Sequence, residues 1–169
     1  PPGLIVPRRE LLKIREAVGT EDQHIEALNA LYAAEPDQDT FHRLAEHYRI
    51  NGDFEREARL IEEAALAGFA TLDDRLRLGM IKASAGKIPE AILILQDIDR
   101  ELADDITHPR FALFNLMIAD ERPLDAVRYG QTWITRWDMP WATEEFQRIM
   151  SAAGYPDLAN GITTDENGF

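Results

Sequence analysis

A pattern of apolar, small and helix-stopping positions returns along this chain after 34 residues. Leu44, Ala45, Tyr48, Gly52, Phe54 and Ala64 line up with Leu78, Gly79, Lys82, Gly86, Ile88 and Ile98, each 34 positions later. A period of this length marks stacked helical hairpins, because one hairpin alone cannot bury its apolar face. Ala45 and Gly79 fall where the first helix of each pair meets the second, and a larger side chain there would push the axes apart. Gly52 and Gly86 end the first helix by accepting the left-handed conformation that closes it. Phe54 and Ile88 open the second helix.

The stops at Gly19, Pro36, Gly52, Gly68, Gly86, Pro109, Pro123 and Pro140 predict helices over about 8–18, 22–34, 38–51, 54–67, 72–85, 88–103, 109–119, 123–137 and 141–152. Asp37, Asp39 and Thr40 supply caps before the third helix, and Thr71, Asp73 and Asp74 before the fifth. Residues 1–7 read as an extended leader, 8–153 as a single helical-repeat domain and 154–169 as a polar C-terminal tail. No stretch shows strand alternation. In the helix from 141, Trp141, Phe146, Ile149 and Met150 are expected to pack inward, with Glu144, Glu145 and Arg148 facing out. That helix has no evident partner and reads as a cap over the last apolar face.

The spaced set Phe41, Leu44, Ala45, Tyr48, Gly52, Phe54, Ala64 resembles the tetratricopeptide repeat, as does its recurrence in Leu78, Gly79, Gly86, Ile88, Ala91, Leu95 and Ile98. A third copy runs through Leu113, Met117, Pro123, Ala126 and Val127 with one extra residue. Two positions depart from the family pattern. Glu57 stands where a small residue is preferred early in the second helix, and Lys82 replaces the usual aromatic of the first. The resemblance implies an all-α, right-handed α-solenoid of antiparallel helix pairs, with about eight or nine helices and a terminal capping helix. It also implies a noncatalytic module that binds a partner segment on a groove or an end face. The groove positions it indicates are His42, Glu46, Arg49, Leu76, Arg77, Met80 and Asn115. The lysine- and asparagine-rich clamp by which some relatives grip a C-terminal carboxylate is lacking here.

Charge narrows the partner. The net charge of −13 is uneven: residues 1–20 carry +2 and the remainder −15. An acidic body repels a phosphate backbone, so a protein or peptide partner is expected rather than nucleic acid. No apolar run approaches the ~18 residues of a membrane span. The chain has no cysteine, which excludes disulfides, thiolate zinc sites and cysteine nucleophiles. Its start, Pro1-Pro2-Gly3, suggests a processed form or a piece of a larger protein. Composition leaves the compartment open between a bacterial cytoplasm and periplasm, and leaves oligomerisation open.

The candidate chemistry is sparse. His42 and His47 lie five apart without the zincin spacing, and His42 with Glu46 reads as a solvated helix pair. The acidic pairs Asp37/Asp39, Asp73/Asp74 and Asp104/Asp105 sit at helix ends, where the first two favour the helix dipole. Neither a phosphate-cradling glycine loop nor a nucleophile elbow is present. Hence no enzyme, metal or cofactor is expected. Tyr129, Trp133 and Trp137 form a stripe on one helix that either packs in the core or offers a docking face. Gly130 stands where a larger core residue is expected and Trp133 where a small one is usual, which suggests an exchange of size between core positions. The alternative to a binding module is a structural spacer in a larger bacterial envelope, secretion or polysaccharide-export assembly.

Overall fold

The computed structural model describes residues 5–102, 108–137 and 140–162, with the backbone alone for 5–7, 137 and 140. Within them lie ten helices and no strand: α1 (Ile5–Val18), α2 (Glu21–Ala34), α3 (Gln38–Ile50), α4 (Phe54–Ala67), α5 (Leu72–Ser84), α6 (Ile88–Glu101), α7 (His108–Ala119), α8 (Pro123–Trp137), α9 (Pro140–Ala152) and α10 (Pro156–Ala159). None is long and apolar enough to cross a membrane. Asp104 and Asp105 lie outside the described residues. The chain forms two compact units, Pro1–Leu78 and Gly79–Phe169. The division falls within α5.

In Pro1–Leu78, consecutive helices pack together: α1 on α2, α2 on α3 and α3 on α4. Helix α1 begins at Ile5, inside the expected leader. Pro7 is then its third residue, where an N–H would have no intrahelical acceptor, so its absence costs nothing. The starts of α2, α3 and α4 carry side-chain caps. Thr20 and Gln23 form a reciprocal capping box on α2. Asp37 accepts from the Thr40 N–H at 3.0 Å, and Asp53 accepts from the Arg56 N–H at 3.1 Å. Each such cap stabilises its helix by about 1 kcal/mol. The core is built from Leu28, Leu31, Phe41, Leu44, Ile61 and Ala64, all buried. Phe69 adds an edge-on contact to Phe41 and Tyr32. Complete burial of a side chain such as Phe41 contributes about 1.5–3 kcal/mol.

In Gly79–Phe169, α6 packs on α7, α7 on α8 and α8 on α9, while α10 packs on both α8 and α9. The buried side chains include Leu95, Ile98, Leu113, Phe114, Ile134, Phe146 and Met150. Here the tail reading needs correction. Ala159 and Ile162 are buried, and Gln147 Nε2 donates to the Ile162 carbonyl at 2.7 Å. Pro156 opens a short helix, and its apolar residues are too few to stand out in a polar stretch. Helix α9 is therefore partnered by α10, not a lone cap.

The helix stops set the register of the repeats. Gly52, Gly86, Glu121 and Gly154 all have positive φ, spaced 34, 35 and 33 residues apart. Each is followed by the same closing bond from the next N–H to a carbonyl five residues back: Asp53 to Tyr48, Lys87 to Lys82, Arg122 to Met117 and Tyr155 to Met150, at 2.9, 2.9, 2.9 and 3.0 Å. The third copy's extra residue thus falls before Glu121. Glu121 is the one described non-glycine residue with positive φ, at 57°. An L side chain there costs about 1 kcal/mol relative to glycine. Glu121→Gly should therefore raise stability by about 0.5–1 kcal/mol, read as a higher urea midpoint at unchanged slope.

The same alignment explains Gly130. A Cβ on Gly79 would sit 3.2 Å from the Leu95 side chain, and one on Gly130 would sit 3.2 Å from Phe114. Phe114 occupies the place of Gly79, and Gly130 that of Leu95, one repeat later with the extra residue allowed for. The contact is conserved in volume with its large and small sides exchanged. The partner in this exchange is Phe114, not Trp133.

Candidate functional site

Glu57, which breaks the repeat pattern, is the centre of a polar cluster in Pro1–Leu78. It is fully buried near the start of α4. Its Oε1 accepts from Arg77 Nε at 2.9 Å and from Arg49 Nε at 3.2 Å, and its Oε2 accepts from Arg77 Nη2 at 2.8 Å. Burial alone would raise the Glu57 pKa, and this is the largest single influence on it. The hydrogen bonds and charges of Arg77 and Arg49 together outweigh burial and hold the carboxyl below its ordinary value. An ionised carboxylate with two guanidinium partners is the form in which a charge can be kept out of water.

The two arginines are pinned on one side and open on the other. Arg49 is 46% and Arg77 34% exposed. Glu46 reaches Arg49 at 3.6 Å, and Arg77 stands 5.5 Å from the centroid of the half-exposed Phe54 ring. Of the groove residues read from the sequence, this unit joins Glu46, Arg49 and Arg77 through Glu57. His42 is exposed on α3 with its ring against Phe41, and Leu76 is half-buried. Elsewhere on α3, Arg43 binds Glu16 and approaches His24, while His47 lies 3.3 Å from Glu21. Met80 and Asn115 belong to the other unit. Met80 is exposed, and Asn115 donates to the carbonyl of Phe111 at 2.8 Å.

Gly79–Phe169 holds a second buried polar set. Arg110 Nε donates to Asp99 Oδ1 at 2.6 Å, and the Arg110 guanidinium lies 3.4 Å from the centroid of the Trp133 ring. Arg110 is 3% and Trp133 6% exposed, so the docking-face reading of the α8 stripe fails at Trp133. One face of the indole is covered by the Arg110 guanidinium. Burial pushes the Asp99 carboxyl up, against the opposing charge of Arg110. Burial and the nearby Asp99 charge push the half-buried Tyr129 up likewise. The side chain of Trp137 lies outside the described residues.

Trp141 reverses its expected orientation. It is 51% exposed, while Phe146 and Met150 on the same helix are buried as anticipated. Its indole stacks against Phe111 at 5.8 Å, and Phe111 stacks in turn on Phe146 at 4.8 Å. The turn of α9 that points Phe146 inward leaves Trp141 on the rim, against Phe111 of α7.

The fold is that of TPR-like helical repeats. Two crystal structures of MamA superpose with TM-scores of 0.60 and 0.61 at 15% and 14% identity, covering 89% and 92% of this chain and 88% and 86% of theirs. The nearly identical TPR-like repeats of a kinesin light chain protein from Podosopora anserina superpose at 0.59 with 18% identity, over 95% of this chain and 92% of that one. No protein-family profile matches the chain, and no curated protein matches it in sequence. The structural likeness defines an all-helical repeat architecture of antiparallel helix pairs.

Proposed function

We infer that the chain is a noncatalytic protein-interaction module that takes an amphipathic partner segment on the face carrying His42, Glu46, Arg49, Phe54 and Arg77. The observation that supports this reading is the buried Glu57 carboxylate. It fixes two half-exposed guanidiniums, that of Arg77 beside an exposed aromatic ring, before any partner arrives. Fixed donors lose little conformational entropy on binding, and arginine with an exposed aromatic is a common composition for a binding hot spot. The free edges of Arg49 and Arg77 suit an acidic side chain of the partner, Phe54 an apolar one, and Glu46 a basic one.

The test is a photo-crosslinking amino acid placed at His42, at Phe54 or at Arg59, an exposed position on another face of α4. Crosslinks to one partner should form at His42 and Phe54 and not at Arg59. Binding of that partner should weaken about tenfold in a Phe54→Ala, Glu46→Arg variant of unchanged helical spectrum. Crosslinks confined to Arg59, or full binding by the double variant, would remove this face from the function.

A further inference from the structure

Guanidinium, aromatic ring and carboxylate occur together three times among the described residues. Arg110 lies over Trp133 and binds Asp99, Arg77 lies over Phe54 and binds Glu57, and Arg56 lies 5.9 Å from the Tyr48 centroid and 3.4 Å from Asp53. In each, the ring attracts the cation through its quadrupole while the carboxylate takes its N–H groups. A fourth aromatic and acidic set has, among the described residues, two carboxylates and a single arginine. Phe111, Trp141, Glu144 and Glu145 line an open notch of about 440 Å³ between α7 and α9, together with Arg148. Arg148 is committed to Glu145, donating from Nε at 2.8 Å and from Nη2 at 2.6 Å. That leaves the exposed Glu144 carboxylate beside a half-exposed indole.

We propose that the notch of Phe111, Trp141 and Glu144 is a docking site for an arginine side chain of a partner protein. The occupant follows from complementarity. A half-exposed indole and a carboxylate that makes no ion pair among the described residues attract a planar guanidinium, which can stack and donate at once. A lysine ammonium is a more strongly hydrated point charge that cannot stack, so the site prefers arginine. The net charge of −13 steers a basic segment toward the chain, and the notch supplies the short-range selection. The site is distinct from the α3–α4 face proposed above and stands or falls without it.

The probe is a labelled nona-arginine peptide at near-physiological salt, titrated against the whole chain, with nona-lysine in parallel. Nona-arginine should bind several-fold tighter than nona-lysine and shift the Trp emission. Trp141→Ala should weaken nona-arginine binding about tenfold and Trp141→Phe less, since indole is the better cation acceptor. Glu144→Gln should weaken it several-fold, whereas Glu26→Gln, the same loss of charge on α2, should leave it unchanged. Equal binding of the two peptides would overturn the proposal. So would equal losses in Glu144→Gln and Glu26→Gln, or undiminished binding by Trp141→Ala. Trp141 is half-exposed on α9, and the helical spectrum of each variant verifies that it folds.

Discussion

Glu57→Ala is expected to destabilise Pro1–Leu78 by about 3 kcal/mol at pH 7. Removing one partner of a buried ion pair costs about 3–5 kcal/mol, and the lower end applies here because both arginines keep contact with water. The change also leaves two guanidiniums facing each other across an emptied site. Replacing Arg49 and Arg77 by alanine and leucine in the same variant should recover much of the loss, since alanine at position 57 suits the repeat pattern. The pH dependence has a definite sign. A carboxyl whose folded pKa is lowered contributes stability above its unfolded value, near 4.3, and loses that contribution as pH falls through the folded value. Urea midpoints for the wild type should therefore fall below about pH 4, more steeply than those of Glu57→Ala. A gap between the two proteins that does not narrow on acidification would show that Glu57 is not ionised in the fold.

The second large effect concerns the exchanged pair in Gly79–Phe169. Gly130→Leu alone should cost about 1–3 kcal/mol by overpacking against Phe114. Phe114→Ala alone should cost about 3–5 kcal/mol by leaving a cavity. Combined, they restore the arrangement of Gly79 and Leu95, and the loss should fall short of the sum by about 1–3 kcal/mol. Thermal or urea unfolding of the four proteins closes the cycle. Strict additivity would mean that the two positions do not share one volume, and that the repeat alignment with its extra residue is misplaced.

These cases show which parts of the structure could be read from the residues alone. The helix limits could, because Thr20, Asp37, Gly52 and Gly86 act on their own backbone neighbours. The repeat could, because Ala45 and Gly79 recur at a fixed distance. Glu57 stood out only as a fault in the pattern. Its partners are 8 and 20 residues away, and no local rule connects them. Arg49 and Arg77 were singled out as groove residues while the group that positions them was not. From the sequence Trp141 groups with Phe146, Ile149 and Met150 as an inward side chain of α9, whereas it is half-exposed. Its exposure depends on how α9 is rotated against α7. Trp133 shows the converse: it is buried, and the guanidinium over its ring comes from another helix.

The left-handed stops at 52, 86, 121 and 154 also bear on how such a chain changes length. Each closes its helix with bonds that reach no further than five residues back, and none of these bonds involves the helix that follows. A residue gained upstream of Glu121 is therefore absorbed before the next stop, and the count begins afresh from there. Insertions and deletions act as local spelling changes within one hairpin, so the chain can drift from a strict period without losing its architecture. Its punctuation is then a steadier guide to its relatives than its period.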